Sequence, residues 1–173
     1  YAEAGMTYLE VASDPESYEY RDEAAYGHLL SEVKLLNFPM QNIIEQPARD
    51  GKGKLAVASN PTDDEKRFLK VAQYYVNTVP TGVRRQKVLY RTALIFYNQN
   101  QFEKARKALE LILKDSVNSS VTRSAIQLIA NTYDVENNWE KFAETNKRAM
   151  RFSSPMDPDD LLELEGLDTG LQP

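Results

Sequence analysis

Between Val83 and Phe152 apolar residues return at the three- and four-residue spacing of a helix face. Leu89, Ala93 and Phe96 make one stripe, and Phe102, Ala105, Leu109 and Ile112 make the next. The polar run Asn98-Gln99-Asn100-Gln101 between them predicts a tight interhelix turn. The layout then recurs: Ile126, Ala130 and Tyr133 form a third stripe, and Trp139, Phe142, Ala149 and Met150 a fourth, with Asn137-Asn138 in the turn.

The two halves share one register. Leu89 and Ile126, Ala93 and Ala130, Phe96 and Tyr133, and Phe102 and Trp139 are each 37 residues apart. A fixed interval of this size is the mark of stacked helical hairpins. A small residue at Ala93 or Ala130 lets two helices approach closely, and the aromatic at Phe96 or Tyr133 fills the space beside it. Phe102 and Trp139, each just after a turn, are expected to fold back over their hairpins in equivalent surroundings. One hairpin cannot cover its own apolar faces, so neighbours must stack.

Upstream the register is lost. Ala2 to Val11 reads as a helix closed by Ser13-Asp14-Pro15, and Arg21 to Leu36 as a helix carrying Ala25, Leu29, Val33 and Leu36. Phe38 to Gln46 is expected to form a short helix, and Ala48 to Asn60 a loop. Asp64 to Val79 reads as a helix ending at Pro80. Pro155 to Pro173 is acidic, with Asp157, Asp159, Asp160, Glu163, Glu165 and Asp168 and no basic residue. Asp157-Pro158 suits a helix start, and Leu161, Leu162, Leu164 and Leu167 give that segment an apolar edge. It reads as a capping helix at the end of an array, with a partner-binding extension or a fold back onto Lys87 and Arg91 as the alternatives.

These residues resemble the tetratricopeptide (TPR) repeat family. Its pattern runs bulky, small and aromatic, then an aromatic and an alanine across the turn. Leu89, Ala93, Phe96, Phe102 and Ala105 match, as do Ile126, Ala130, Tyr133, Trp139 and Ala149. Phe142 stands where alanine is usual, and Asn146 where an aromatic is usual. The usual period is about 34, which puts the extra residues in Asp115 to Val121. That longer linker resembles TPR proteins of the bacterial cell envelope. The resemblance implies an all-α fold: antiparallel hairpins stacked into a right-handed superhelix, an α-solenoid. The implied organisation is degenerate TPR-like helices over 1–80 with an irregular loop near 47–62, two repeats over 83–152, and the acidic tail over 155–173. It also implies a location in the periplasm or cell envelope, with the cytoplasm as the alternative.

Composition narrows the function. Apolar residues are 42% and charged residues 27% of 173, a globular balance. A net charge of −5 disfavours nucleic acid, which needs a basic face. No cysteine is present for thiol chemistry or thiolate metal sites, and no apolar run is long enough to span a membrane. The chain opens on Tyr1 and already reads as helix at Ala2, as expected for a piece of a longer protein.

Catalytic signals are weak. The one histidine, His28, has Ala24 and Glu32 a turn away on either side; a structural role outweighs metal ligation, since Ala24 cannot ligate. Gly51-Lys52-Gly53-Lys54 lacks the spacing of a phosphate loop and reads as a flexible basic loop. No metal and no cofactor is expected, and no enzymatic activity. The alternative is an interaction module of a larger regulatory or enzymatic protein whose catalytic part lies outside these residues.

A basic stretch is more suggestive. Arg84, Arg85, Lys87, Arg91, Lys104, Arg106 and Lys107 face only Glu103 in return. On the TPR resemblance the first helix of each hairpin lines a concave groove. The groove set is then Lys87, Tyr90, Arg91, Leu94, Gln127, Asn131 and Asp134. Two cations beside an aromatic suit a carboxylate, so the expected partner is a protein or peptide, with an acidic one favoured. The Lys87–Arg91 pair resembles half of the carboxylate clamp of chaperone-binding TPR domains; the lysine–asparagine half from an earlier repeat is absent.

Overall fold

The computed structural model describes residues 1–38, 44–115 and 120–150, and these form an all-α protein. Seven α-helices follow in order: α1 (Ala2–Ser13), α2 (Arg21–Leu35), α3 (Asp63–Thr78), α4 (Val83–Asn98), α5 (Phe102–Lys114), α6 (Ser120–Val135) and α7 (Trp139–Met150). A 3-10 segment, Pro15–Tyr20, joins α1 to α2. Among the described residues the one extended pairing is an isolated bridge between Arg49 and Leu55.

Local chemistry sets the boundaries. Asp14, which precedes Pro15, is extended and ends α1; its carboxylate then accepts from the Glu16 N–H at 2.9 Å. Thr62 and Glu65 cap α3 reciprocally, each side chain bonding the other's backbone N–H, with Asp63 and Asp64 beside them at the positive end of the helix dipole. Val79 before Pro80 closes α3, and Gly82 at φ +127 opens α4 with a backbone that only glycine adopts readily.

Three helices close in one way. The Phe38, Gln101 and Asn138 N–H groups donate to the Val33, Phe96 and Tyr133 carbonyls, five residues back. Asn37, Asn100 and Asn137 occupy the left-handed conformation inside these closures, at φ 46, 57 and 57. By this criterion α2 is the counterpart of α4 and α6, although the sequence shows no common register there. The long connection over 39–62 hides the relation, because α2 packs on α3 much as α4 packs on α5 and α6 on α7.

Each helix packs on the next, and α4 also touches α6. The core between them holds Ala25, Leu29, Phe68, Ala72, Tyr75, Leu89, Ala93, Leu94, Ala105, Leu109, Ile112, Ile126 and Ala130, all buried. Close approach is most direct between α1 and α2. A Cβ at Gly27 would lie 2.8 Å from the Tyr8 ring, and one at Gly5 would lie 3.3 Å from the Ser31 Cβ.

The 37-residue correspondence holds for three pairs and fails for one. Leu89 and Ile126 are buried, Ala93 and Ala130 are buried, and Phe96 and Tyr133 are both half-buried. Even a neighbouring cation is reproduced: Lys104 lies over Phe96 and Lys141 over Tyr133, each 5.5 Å from the ring centre and themselves 37 residues apart. Phe102 and Trp139 are not equivalent, contrary to expectation: Phe102 is 5% exposed and Trp139 59%. Phe102 meets Tyr97 edge-on at 5.5 Å, whereas the residue at the place of Tyr97 is Asp134. Trp139 turns instead to Phe142, which replaces the small Ala105, and meets it edge-on at 6.3 Å. Its partner before the turn is missing, so it does not fold back.

One other expectation changes. The short helix over Phe38 to Gln46 is not continued in 44–46, which are irregular; 39–43 lie outside the described residues. The acidic tail over 155–173 and linker positions 116–119 also lie outside them.

One buried ion pair binds three helices. Arg85 at the start of α4 donates from Nη1 to both carboxylate oxygens of Asp115 after α5, at 2.8 and 3.0 Å, and from Nε to the Val76 carbonyl of α3 at 3.3 Å. Both side chains are almost wholly buried. Removing one partner strands a buried charge, so Asp115→Ala is expected to cost about 3–5 kcal/mol in urea unfolding. The double variant Arg85→Met/Asp115→Leu should regain most of that. A loss for Asp115→Ala below about 1 kcal/mol would put the pair among surface bridges and remove it as a clamp.

Candidate binding surface

The seven groove residues divide by burial. Leu94 is 0%, Tyr90 6% and Arg91 8% exposed, so these three belong to the core and offer no open surface. The helix carries apolar residues on more than one side because α4 is packed by α3, α5 and α6 together. Lys87 and Asn131 are half-buried, and Gln127 and Asp134 are exposed. The members with solvent access therefore come from α4 (Lys87) and α6 (Gln127, Asn131, Asp134), two helices in direct contact.

Burial governs the chemistry of the inner three. It pushes the Tyr90 phenol up to about 12, and it lowers Arg91, against which the charge of Glu65 acts. The Arg91 guanidinium lies over the Phe38 ring, 5.3 Å from its centre.

The basic stretch serves packing more than display. Arg84 pairs with Glu23 and covers Tyr26; Arg85 is held by Asp115; Arg91 covers Phe38 and Lys104 covers Phe96. Arg106 pairs with Glu136 at 2.6 Å and covers Tyr133, and Lys107 pairs with Glu103 at 2.7 Å. Charge counting along the chain missed this because the balancing carboxylates Glu23, Asp115 and Glu136 lie on other helices or beyond a turn.

The other candidates have structural places. His28 Nδ1 is 2.9 Å from the Gly5 carbonyl, and its ring meets Tyr74 edge-on, which ties α2 to α1 and α3. Glu32 pairs with Arg67 at 3.5 Å rather than with the imidazole. At 51–54 the Asp50 carboxylate accepts from the Lys52 and Lys54 N–H groups at 2.8 and 3.0 Å. A side chain of the protein thus fills the place a phosphate would need. Among the described residues no group of three His, Cys, Asp or Glu side chains could hold a metal ion, and no helix is long and apolar enough to cross a membrane.

One feature escaped the sequence. The irregular segment 44–62 is fastened across the α4–α5 turn by that turn's amides. Asn100 Nδ2 donates to the Ala48 and Ala56 carbonyls at 2.9 and 3.2 Å, and Gln101 Nε2 to the Ser59 carbonyl. Asn98 Oδ1 accepts from the Glu45 N–H at 3.1 Å, and the Gln99 carbonyl from the Ser59 N–H at 3.0 Å. Gln99 Nε2 donates to Glu65 at 2.7 Å, linking the turn to the α3 cap. Four consecutive amide residues were the available signal, since a turn alone needs only one or two.

The buried phenols make an alkaline prediction. Burial raises Tyr26, Tyr75, Tyr90 and Tyr97 above the ordinary value of 10.0; at Tyr75 the Asp22 carboxylate, which accepts its hydroxyl at 3.0 Å, adds to the effect. Each ionises later in the folded chain than in the unfolded one, so its contribution is complete below pH 10 and is lost as pH rises through the folded value. Stability is expected to fall above about pH 10, with Tyr90 alone removing on the order of 1 kcal/mol by pH 11. Urea midpoints across this range should show the fall, and Tyr90→Phe should lessen it; a flat profile would contradict the assignment.

No family model, curated protein or solved structure matches the chain.

Proposed function

We propose that this chain is a non-catalytic interaction scaffold of TPR-like hairpins, wound as a right-handed superhelix and binding a protein or peptide partner along its α4–α6 surface. The observation that carries the reading is the repeated packing plan. Leu89 with Ile126, Ala93 with Ala130, and the stacked pairs Phe96–Lys104 and Tyr133–Lys141 recur at one interval in consecutive hairpins. Such an array leaves long helix surfaces for recognition, where a few anchors and polar complementarity set affinity.

The recognition set is the solvent-accessible part of the groove: Lys87, Gln127, Asn131 and Asp134. Its partner is an extended or helical peptide segment that brings a carboxylate to Lys87, within a cell-envelope assembly. The many cations tied to carboxylates and rings elsewhere leave this a mixed surface, so shape and hydrogen bonding weigh more than bulk charge.

Selection of acidic and neutral peptides from a library on the immobilised chain tests the proposal. Lys87→Glu/Gln127→Glu is expected to weaken the selected peptides at least about tenfold, the scale of one charge-assisted contact, without shifting the urea midpoint. Failure to select any peptide, or equal affinity in the folded variant, overturns the surface assignment.

A further inference from the structure

Within the long connection before α3 the chain folds back on itself as a small hairpin. Arg49 and Leu55 form its bridge, the Ala56 N–H donates to the Ala48 carbonyl at 2.8 Å, and Gly53 turns the tip at φ 76, a backbone that glycine adopts readily. Leu55 packs on the core, and Asn100 Nδ2 pins both arms at the root through the Ala48 and Ala56 carbonyls. The tip is thereby fixed beside the α4–α5 turn.

That tip is a knob of positive charge. Arg49, Lys52 and Lys54 are all exposed. The one acid between 46 and 62 is Asp50, and its carboxylate turns inward to accept the Lys52 and Lys54 N–H groups. Arg49 Nη1 crosses the tip to the Gly53 carbonyl at 2.9 Å. No ion pair among the described residues involves these three cations, whereas Arg84, Arg85, Arg106 and Lys107 each have a carboxylate. Like charges crowded on one short turn repel, and an acidic occupant relieves that repulsion.

We infer that this hairpin seats the chain's own acidic segment, its three cations facing Glu163, Glu165 and Asp168. Residues 155–173 carry six carboxylates and no basic residue. The other fold-back site weighed from the sequence, Lys87 with Arg91, is not open, because Arg91 lies in the core. Length fits as well. The path back along the 12 residues of α7 is about 18 Å, and one step between packed helices adds about 10 Å. Glu163 to Asp168 lie 13 to 18 residues beyond Met150, a reach of about 43 to 60 Å when extended. Exposed ion pairs are individually weak, so a free acidic peptide would need millimolar concentration; a tethered segment has that concentration built in. The contact uses no residue of the α4–α6 surface proposed above, so either can fail alone.

Zero-length carbodiimide coupling of the full chain, read by peptide mass spectrometry, tests the inference. Lys52 and Lys54 are expected to couple to Glu163, Glu165 or Asp168 within one chain. The yield should be at least about tenfold higher at about 0.01 M ionic strength, where charges act over about 30 Å, than at about 1 M, where they act over about 3 Å. Arg49→Glu leaves both lysines as reporters and should lower their coupling severalfold; its urea midpoint checks that it is folded. Coupling spread evenly over Lys34, Lys70 and Lys114 as well, or unchanged by salt or by folded Arg49→Glu, overturns the inference. So does coupling found only between heavy-isotope-labelled and unlabelled chains in a mixed sample, or no coupling at all.

Discussion

Close approach of helices at small residues is the constraint from which the rest of this structure follows. Ala93, Ala105, Ala125 and Ala130 are all buried, and α1 meets α2 where a Cβ at Gly27 would lie 2.8 Å from the Tyr8 ring and one at Gly5 would crowd the Ser31 Cβ at 3.3 Å. Once backbones lie this close, the bulky residues on either side interlock and exclude water from both helices. The aromatic next to each alanine, Phe96 or Tyr133, is then only half covered, and a lysine from the following helix lies over its open face.

Much of this was legible in order. Helical spacing gave α1, α2 and α3 within a residue or two, because their boundaries are written in local chemistry: Asp14-Pro15, Thr62 with Glu65, Val79-Pro80. The interval between α4–α5 and α6–α7 was legible because packing partners recur with it. What the interval could not convey is that a matched position needs matched neighbours. Trp139 aligns with Phe102, yet Asp134 and Phe142 stand where Tyr97 and Ala105 stand, and the ring ends up in solvent. The relation of α2 to α4 was hidden for the opposite reason: the closure by Asn37 is present, but the long insertion before α3 breaks the count.

The candidate surface was less legible than the fold. Charge along the sequence suggested a basic face, but arginine side chains are long enough to reach carboxylates on or just beyond neighbouring helices, and in three dimensions Arg84, Arg85 and Arg106 do. Burial of Leu94, Tyr90 and Arg91 likewise depends on α3, α5 and α6 all packing on α4, which no single-helix pattern expresses. The polar turn at 98–101 is the converse case. It reads as a simple break, whereas its amides hold the main chain of a segment about 40 to 50 residues away in sequence, a separation that loop-closure entropy tolerates when hydrogen bonds are gained.

The α4–α5 and α6–α7 hairpins share one packing plan. Urea unfolding of Ala93→Leu and Ala130→Leu tests it most directly. Overfilling equivalent close approaches should cost each variant a similar amount, about 1–3 kcal/mol. If one of the two leucines is accommodated without loss while the other is not, the sites are unlike and the common plan is contradicted.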